Sequence, residues 1–180
     1  MLELVLNDEH LSEVLGRALG SCRRRLFIAT ADVKDLHLPV GGPACGGRRK
    51  ARSIVKVFAE LSARGVEIHL LHSGVPSGPF LAELKRGVPR GLTMRRCTRT
   101  HAKVVIADGT WMYLGSANLT GAGLGAKSAR RRNFEAGVVT DDVSLIDPVA
   151  DMLAEVFEGG ACPSCGRKPE CPVPLEEPDL

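Results

Sequence analysis

Between His101 and Glu135 the chain gathers the residue types needed to move a phosphoryl group through a covalent histidine: His101-Ala-Lys103, Gly115-Ser116-Ala117-Asn118 and Asn133-Phe134-Glu135. An imidazole nitrogen can attack phosphorus, a lysine ammonium can neutralise phosphoryl oxygens, and serine and asparagine can donate hydrogen bonds to them. His101 and Lys103 stand two apart in the apolar run HAKVVIAD, so on a strand both side chains point to one face. Asp108-Gly109 is a strong signal for a two-residue hairpin turn, and WMYLGS after it reads as the returning strand. That return brings Gly115, Ser116 and Asn118 toward His101, with glycine and serine leaving room for a phosphate. Glu135 opens the strand-like run FEAGVV and is of the type that accepts the second ring proton of a histidine, fixing its tautomer. A solitary H-x-K would read as a surface hairpin, whereas seven apt positions at fixed spacing read as a site.

At these residues the segment resembles the HKD motif of the phospholipase D superfamily, H-x-K-x4-D-x6-G-S-x-N, at every specified spacing. The resemblance covers about residues 100 to 140; residues 1 to 100 agree with that family only in their βα pattern. It implies that His101 attacks phosphorus, that Lys103 and Asn118 hold the phosphoryl oxygens, that Ser116 supports them, that Glu135 orients the histidine, and that no metal is needed for catalysis. Asp108 completes the candidate catalytic set, with securing the hairpin its more natural task. One histidine cannot at one instant be a neutral nucleophile and a protonated leaving-group acid. His10, His37, His69 and His72 do not begin a second such motif. Small single-motif members of the family homodimerise, so the resemblance implies a twofold homodimer with His101 from each copy facing across the axis and a bell-shaped pH dependence.

The elements that must position these residues alternate. Leu11 to Leu19 has helical periodicity, RLFIATA reads as a strand, Ser53 to Arg64 as an amphipathic helix, VEIHLLHS as a strand, and Phe80 to Arg86 as a short helix. LTMRRC reads as a strand, followed by the hairpin, FEAGVVT and a last helix from Val143 to Phe157. Strands alternating with helices imply an α/β fold, and the resemblance makes it a mixed β-sheet flanked by helices on both faces. At 180 residues and 44% apolar content the chain can bury one sizeable core. The expected organisation is a catalytic domain over 1-158 and a cysteine-containing acidic tail over 159-180. No internal repeat is visible, and the one biased tract is the glycine-rich Gly41 to Gly47.

Charge is unevenly placed. Residues 1 to 140 carry 22 Lys and Arg against 11 Asp and Glu, whereas residues 141 to 180 carry 2 against 10. Arg130, Arg131 and Arg132 lie between Asn118 and Glu135 and read as substrate-binding cations. Arg95, Arg96, Arg99 and the set Arg48, Arg49, Lys50, Arg52 extend the same polyanion track. One Trp, one Tyr and five Phe offer few stacking platforms, so contacts to a nucleic-acid backbone with little sequence specificity are expected. The first twenty residues contain early acids and no sustained apolar core, and no run approaches a membrane span, so a soluble, cytoplasmic protein is expected.

Cys162-Pro-Ser-Cys165 and Cys171 form a knuckle-like cluster, and Cys45 lies between flexible glycines far upstream. C-x2-C pairs are common at tetrahedral sites, so Cys45, Cys162, Cys165 and Cys171 are candidate ligands of a structural zinc. The C-x2-C-x5-C spacing with a distant cysteine also resembles the iron–sulfur clasp of helicase-associated and CRISPR-associated exonucleases, which leaves an iron–sulfur cluster open, as are disulfides or free thiols. Cys22 and Cys97 read as buried thiols, either of which could replace Cys45. His69 and His72 read as packing residues, and Asp32 and His37 as a possible substrate wall.

Together these observations point to a metal-independent phosphodiesterase, foremost a nuclease or endonuclease acting on DNA or RNA through a phosphohistidine. The other readings are a phospholipid-hydrolysing enzyme and a non-catalytic nucleic-acid-binding subunit of a defence or repair complex.

Overall fold

The computed structural model describes residues 1–39 and 51–178. Their frame is one seven-stranded sheet in the order β1 (Leu2–Leu6), β9 (Ala136–Thr140), β8 (Trp111–Gly115), β7 (Val104–Ala107), β2 (Arg25–Thr30), β5 (Glu67–His72), β6 (Leu92–Arg96). A small antiparallel pair, β3 (His37–Pro39) and β4 (Ala51–Ser53), stands apart from it. β2, β5 and β6 run parallel; β7, β8, β9 and β1 alternate. The sheet is thus mixed, as expected.

Strand β2 explains the layering. Leu26 and Ile28 face one core, Phe27 and Ala29 the other, so the run is apolar on both sides and lies at the centre. On the first face pack a π-helical turn (Leu11–Gly16) continuing into α1 (Arg17–Ser21), then α2 (Ile54–Ala63) and α3 (Gly78–Leu84). Ser53 caps α2 by accepting from the Lys56 amide at 3.3 Å. The second face is covered by α4 (Val143–Phe157), which buries Ile146, Leu153 and Phe157 against Phe27, Leu71, Val104, Ile106 and Met112. Asp142 caps α4 through the Ser144 amide at 2.9 Å. None of the described helices is long and apolar enough to cross a membrane.

Strand β1 is absent from the sequence reading. In LELVL only Val5 turns to the core, while Leu2, Leu4 and Leu6 stay exposed, so the usual alternation of apolar inside and polar outside is missing.

Alternating directions bring seven strand ends to one edge of the sheet: the carboxyl ends of β1, β2, β5, β6 and β8 and the amino ends of β7 and β9. Every part of the H-x-K and G-S-x-N segments lies at that edge.

Candidate active site

His101 and Lys103 precede β7 rather than lie in it, because pairing starts at Val104. Their side chains still meet. Lys103 Nζ lies 3.4 Å from His101 Nδ1, 3.2 Å from Nε2 and 2.8 Å from the His101 carbonyl. The distances to the two ring nitrogens are nearly equal, so the ammonium sits close beside the imidazole. His101 is exposed, whereas Lys103 is 8% exposed. Among the described residues no carboxylate pairs with that ammonium. A buried cation without a counter-charge is costly, and a bound anion is what relieves it.

Asn118 arrives on the turn after β8. Its Oδ1 accepts from the Ala31 amide at 3.1 Å, the Asp32 amide at 3.2 Å and the Thr30 hydroxyl at 3.2 Å. With the oxygen engaged by the end of β2, the amide NH2 is the part left to donate to a substrate oxygen. Thr30 Oγ1 also accepts from the Leu119 amide at 3.0 Å, so this buried hydroxyl joins the two halves of the site.

Ser116 donates to Glu135 in a short hydrogen bond and accepts from the Ala136 amide at 3.1 Å. Glu135 also takes the Asn133 side-chain amide at 2.9 Å, and Asn7 Oδ1 accepts from the Glu135 backbone at 3.3 Å. Glu135 therefore holds Ser116 and Asn133 and makes no hydrogen bond to His101, contrary to the orienting contact expected from the sequence.

Gly115 is small for a different reason from the one expected. A Cβ there would stand 2.3 Å from the Tyr113 hydroxyl and 2.7 Å from Gly137 Cα, so the missing side chain makes room for Tyr113 rather than for a phosphate. Tyr113 is buried, its hydroxyl accepts from the Ala117 amide at 3.2 Å, and burial pushes its pKa up to about 12. This support of the G-S-x-N turn is missed by sequence reasoning, since a tyrosine in a strand signals only packing.

Asp108 falls outside the site. Asp108 and Gly109 take φ of 55° and 70°, the left-handed pair of a tight hairpin turn. Five residues of extended chain separate Asp108 from Lys103, about 16 Å at roughly 3.3 Å per residue. Its carboxylate accepts from the backbone amides of Arg23, Arg24 and Arg25 at 2.8, 2.8 and 2.9 Å. Burial works against its charge, but the backbone amides of Arg25, Arg23 and Arg24 outweigh that and hold its pKa below the ordinary carboxylate value. Cys22 donates to it at 3.5 Å and is a buried thiol raised to about 11, chiefly by burial and then by the Asp108 charge.

The cationic track is thinner than the sequence suggests. Arg132 pairs with Asp8 at 2.9 Å, Arg95 with Glu158 at 3.3 Å, Arg96 with Glu176 at 2.9 Å and Arg52 with Glu60. Arg130 and Arg131 remain exposed on the loop leading to Asn133. Arg48, Arg49, Lys50 and the glycine-rich tract lie outside the described residues.

His69 stacks on Phe157 at 4.7 Å and His72 is buried with Nδ1 2.9 Å from the Gly74 carbonyl; burial lowers both pKa values, in keeping with packing roles. Asp32 pairs with Lys34 at 2.9 Å and His37 lies 3.4 Å from Asp35. Of the candidate metal ligands, Cys45 lies outside the described residues. Among the described residues no group of three or more His, Cys, Asp or Glu is arranged to hold a metal ion as it stands.

The family model described as "Cardiolipin synthase, PLD-like domain" matches residues 17–159. No curated protein matches the chain. Among solved structures, NucT from Helicobacter pylori is similar with a TM-score of 0.62 at 15% identity, over 88% of this chain and 96% of that one. Nuc from Salmonella typhimurium, a phospholipase D family member, gives 0.57 at 18% identity, over 84% and 90%. TrmBL2, an archaeal chromatin protein with a novel mode of DNA binding, gives 0.53 at 14%, over 87% of this chain and 52% of that one. At such identities the structural likeness speaks for the fold, and the family model speaks for the lineage.

Proposed function

The chain belongs to the phospholipase D superfamily, and from that premise we propose that it is a metal-independent phosphodiesterase that cleaves DNA or RNA through a phosphohistidine on His101. The observation that carries this reading is the buried Lys103 ammonium, without a carboxylate partner among the described residues, beside the exposed His101 imidazole. A phosphodiester supplies the missing anion, and the side-chain amide of Asn118 stands at the same edge to hold its other oxygens, with Ser116 beside it tied to Glu135.

In the proposed reaction a His101 ring nitrogen attacks phosphorus as the P–O bond to the leaving alcohol breaks, and a protonated histidine gives that oxygen its proton. Water then attacks the phosphohistidine, loses a proton to that second histidine, now neutral and acting as general base, and releases His101 with its lone pair. The second histidine comes from a second copy of the chain, since no other described histidine stands in such a setting. A surface suited to that copy exists. Leu4, Val138 and Leu114 are aligned across β1, β9 and β8 on the face α4 leaves open, and Phe134, next to Glu135, is 97% exposed. In this reading residues 1-158 form the catalytic unit and 159-180 an appended tail. Nucleic acid is favoured over lipid by the basic balance of residues 1 to 140 and by exposed Arg130 and Arg131 on the loop entering the site.

The test is cleavage of labelled single- and double-stranded DNA and RNA in EDTA by wild type and His101→Ala. Cleavage by wild type alone is expected. Cleavage surviving in His101→Ala contradicts the proposal, as does activity that requires an added divalent ion. Turnover of phospholipid vesicles without cleavage of nucleic acid transfers the same chemistry to lipid.

A further inference from the structure

We propose that Cys97, Cys162, Cys165 and Cys171 together bind one zinc ion as four thiolates, and that this clamp fixes the loop that carries His101. The sequence leaves the fourth ligand open; the fold brings Cys97 to the tail. Cys97 sits directly after β6, and the tail crosses that strand end through the bridge Arg96↔Glu176, with the Arg96 amide donating to the Glu176 carbonyl at 3.0 Å. All four cysteines, with Val156 and Leu175, line one small cavity of about 40 Å³, a size that suits a single ion. The Cys165 amide donates to the Cys162 carbonyl at 3.2 Å, closing the tight turn expected of a C-x2-C knuckle. Arg99 lies 3.6 Å from the Cys165 sulfur, a cation of the kind that steadies a thiolate ligand from outside the ligand set.

Among the described residues no three of these side chains stand arranged around one point as an ion would need. Nothing in the chain itself draws sulfurs together, and one rotamer step about χ1 moves a sulfur by roughly 3 Å, so a cation can close the set.

Cys97 lies four residues before His101, and both line a second cavity of about 290 Å³ against α4. The loop between them is tied at Cys97 N to the His72 carbonyl, at Thr100 N to the Cys97 carbonyl, and at Thr98 O to the Ser73 hydroxyl. A metal at Cys97 therefore anchors the base of the nucleophile's loop without touching phosphorus. Zinc binding releases protons from the four thiols and transfers no electrons.

The test is the metal content of the purified full-length protein, with thiol titration before and after a thiol reagent displaces the metal. One zinc per chain and four thiols unmasked on its release are expected, and Cys97→Ser should lose the zinc while Cys22→Ser keeps it. Cobalt substitution provides a second readout on folded wild type, with intense thiolate-to-metal absorption expected. No bound zinc after reconstitution, iron with acid-labile sulfide, a disulfide within the set, or loss of zinc in Cys45→Ser but not in Cys97→Ser each overturns the assignment. Hydrogen exchange over residues 97–103 should quicken when zinc is removed; unchanged exchange overturns the clamp. None of these readouts depends on phosphodiester cleavage, so they stand or fall apart from the catalytic reading.

Discussion

The two ends of the β7–β8 hairpin carry parts of one sequence motif and do different work. At the open end His101, Lys103, Ser116 and Asn118 gather, with a buried ammonium that has no counter-charge among the described residues and an imidazole facing solvent. At the turn end Asp108 is surrounded by donors, and its charge is satisfied by three backbone amides. Polar groups left unpaired mark the end built for a ligand; polar groups fully paired mark the end built for the fold. A fixed spacing between residues therefore does not mean a shared task.

The contrast can be broken by substitution at either end. The largest effect is expected from His101→Ala, which should lower kcat by more than about 10³-fold with Tm unchanged, as judged by single-turnover cleavage and calorimetry. Asn118→Ala should lose about 10²-fold in kcat and some stability as well, because its oxygen holds Thr30, Ala31 and Asp32 while its amide is the part proposed to donate to substrate. Asp108→Ala should do the reverse, costing about 2 kcal/mol and about 4–8 °C in Tm while kcat/KM stays within about twofold. A large kinetic loss in folded Asp108→Ala would erase the distinction between the two ends.

The same comparison sharpens with pH. Asp108 has a pKa below its ordinary value in the folded chain, so its stabilisation is complete above that ordinary value and is lost as pH falls through the folded one. The stability gap between wild type and Asp108→Ala should be level above about pH 5 and narrow toward about pH 3 in denaturant titrations. The smallest effect is expected from Arg131→Ala, which should weaken polyanion binding and reduce the salt slope by about 1 or less without altering kcat.

The residue types of the candidate site and their spacing were legible in the sequence because a histidine, a lysine and a G-S-x-N turn have few other reasons to occur in that order. So were most elements, since the period of two in VEIHLLHS and the 3.6 period of Ser53 to Arg64 follow directly from which face is buried. What could not be read depends on partners distant in sequence. Arg95, Arg96 and Arg132 look like free cations until Glu158, Glu176 and Asp8 are brought to them. Gly115 looks like space for substrate until Tyr113 fills it. Glu135 has the right type to orient His101, yet Ser116 and Asn133 reach it first. Cys97 reads as an ordinary strand thiol until the tail folds back across β6.

The central claim, that His101 carries the phosphoryl group, is tested most directly by the stereochemistry at phosphorus, using a phosphodiester made chiral with sulfur and isotopic oxygen. Attack by His101 followed by attack of water inverts the centre twice, so net retention of configuration is predicted. Net inversion would mean that water displaces the leaving group in a single step, and would contradict the account.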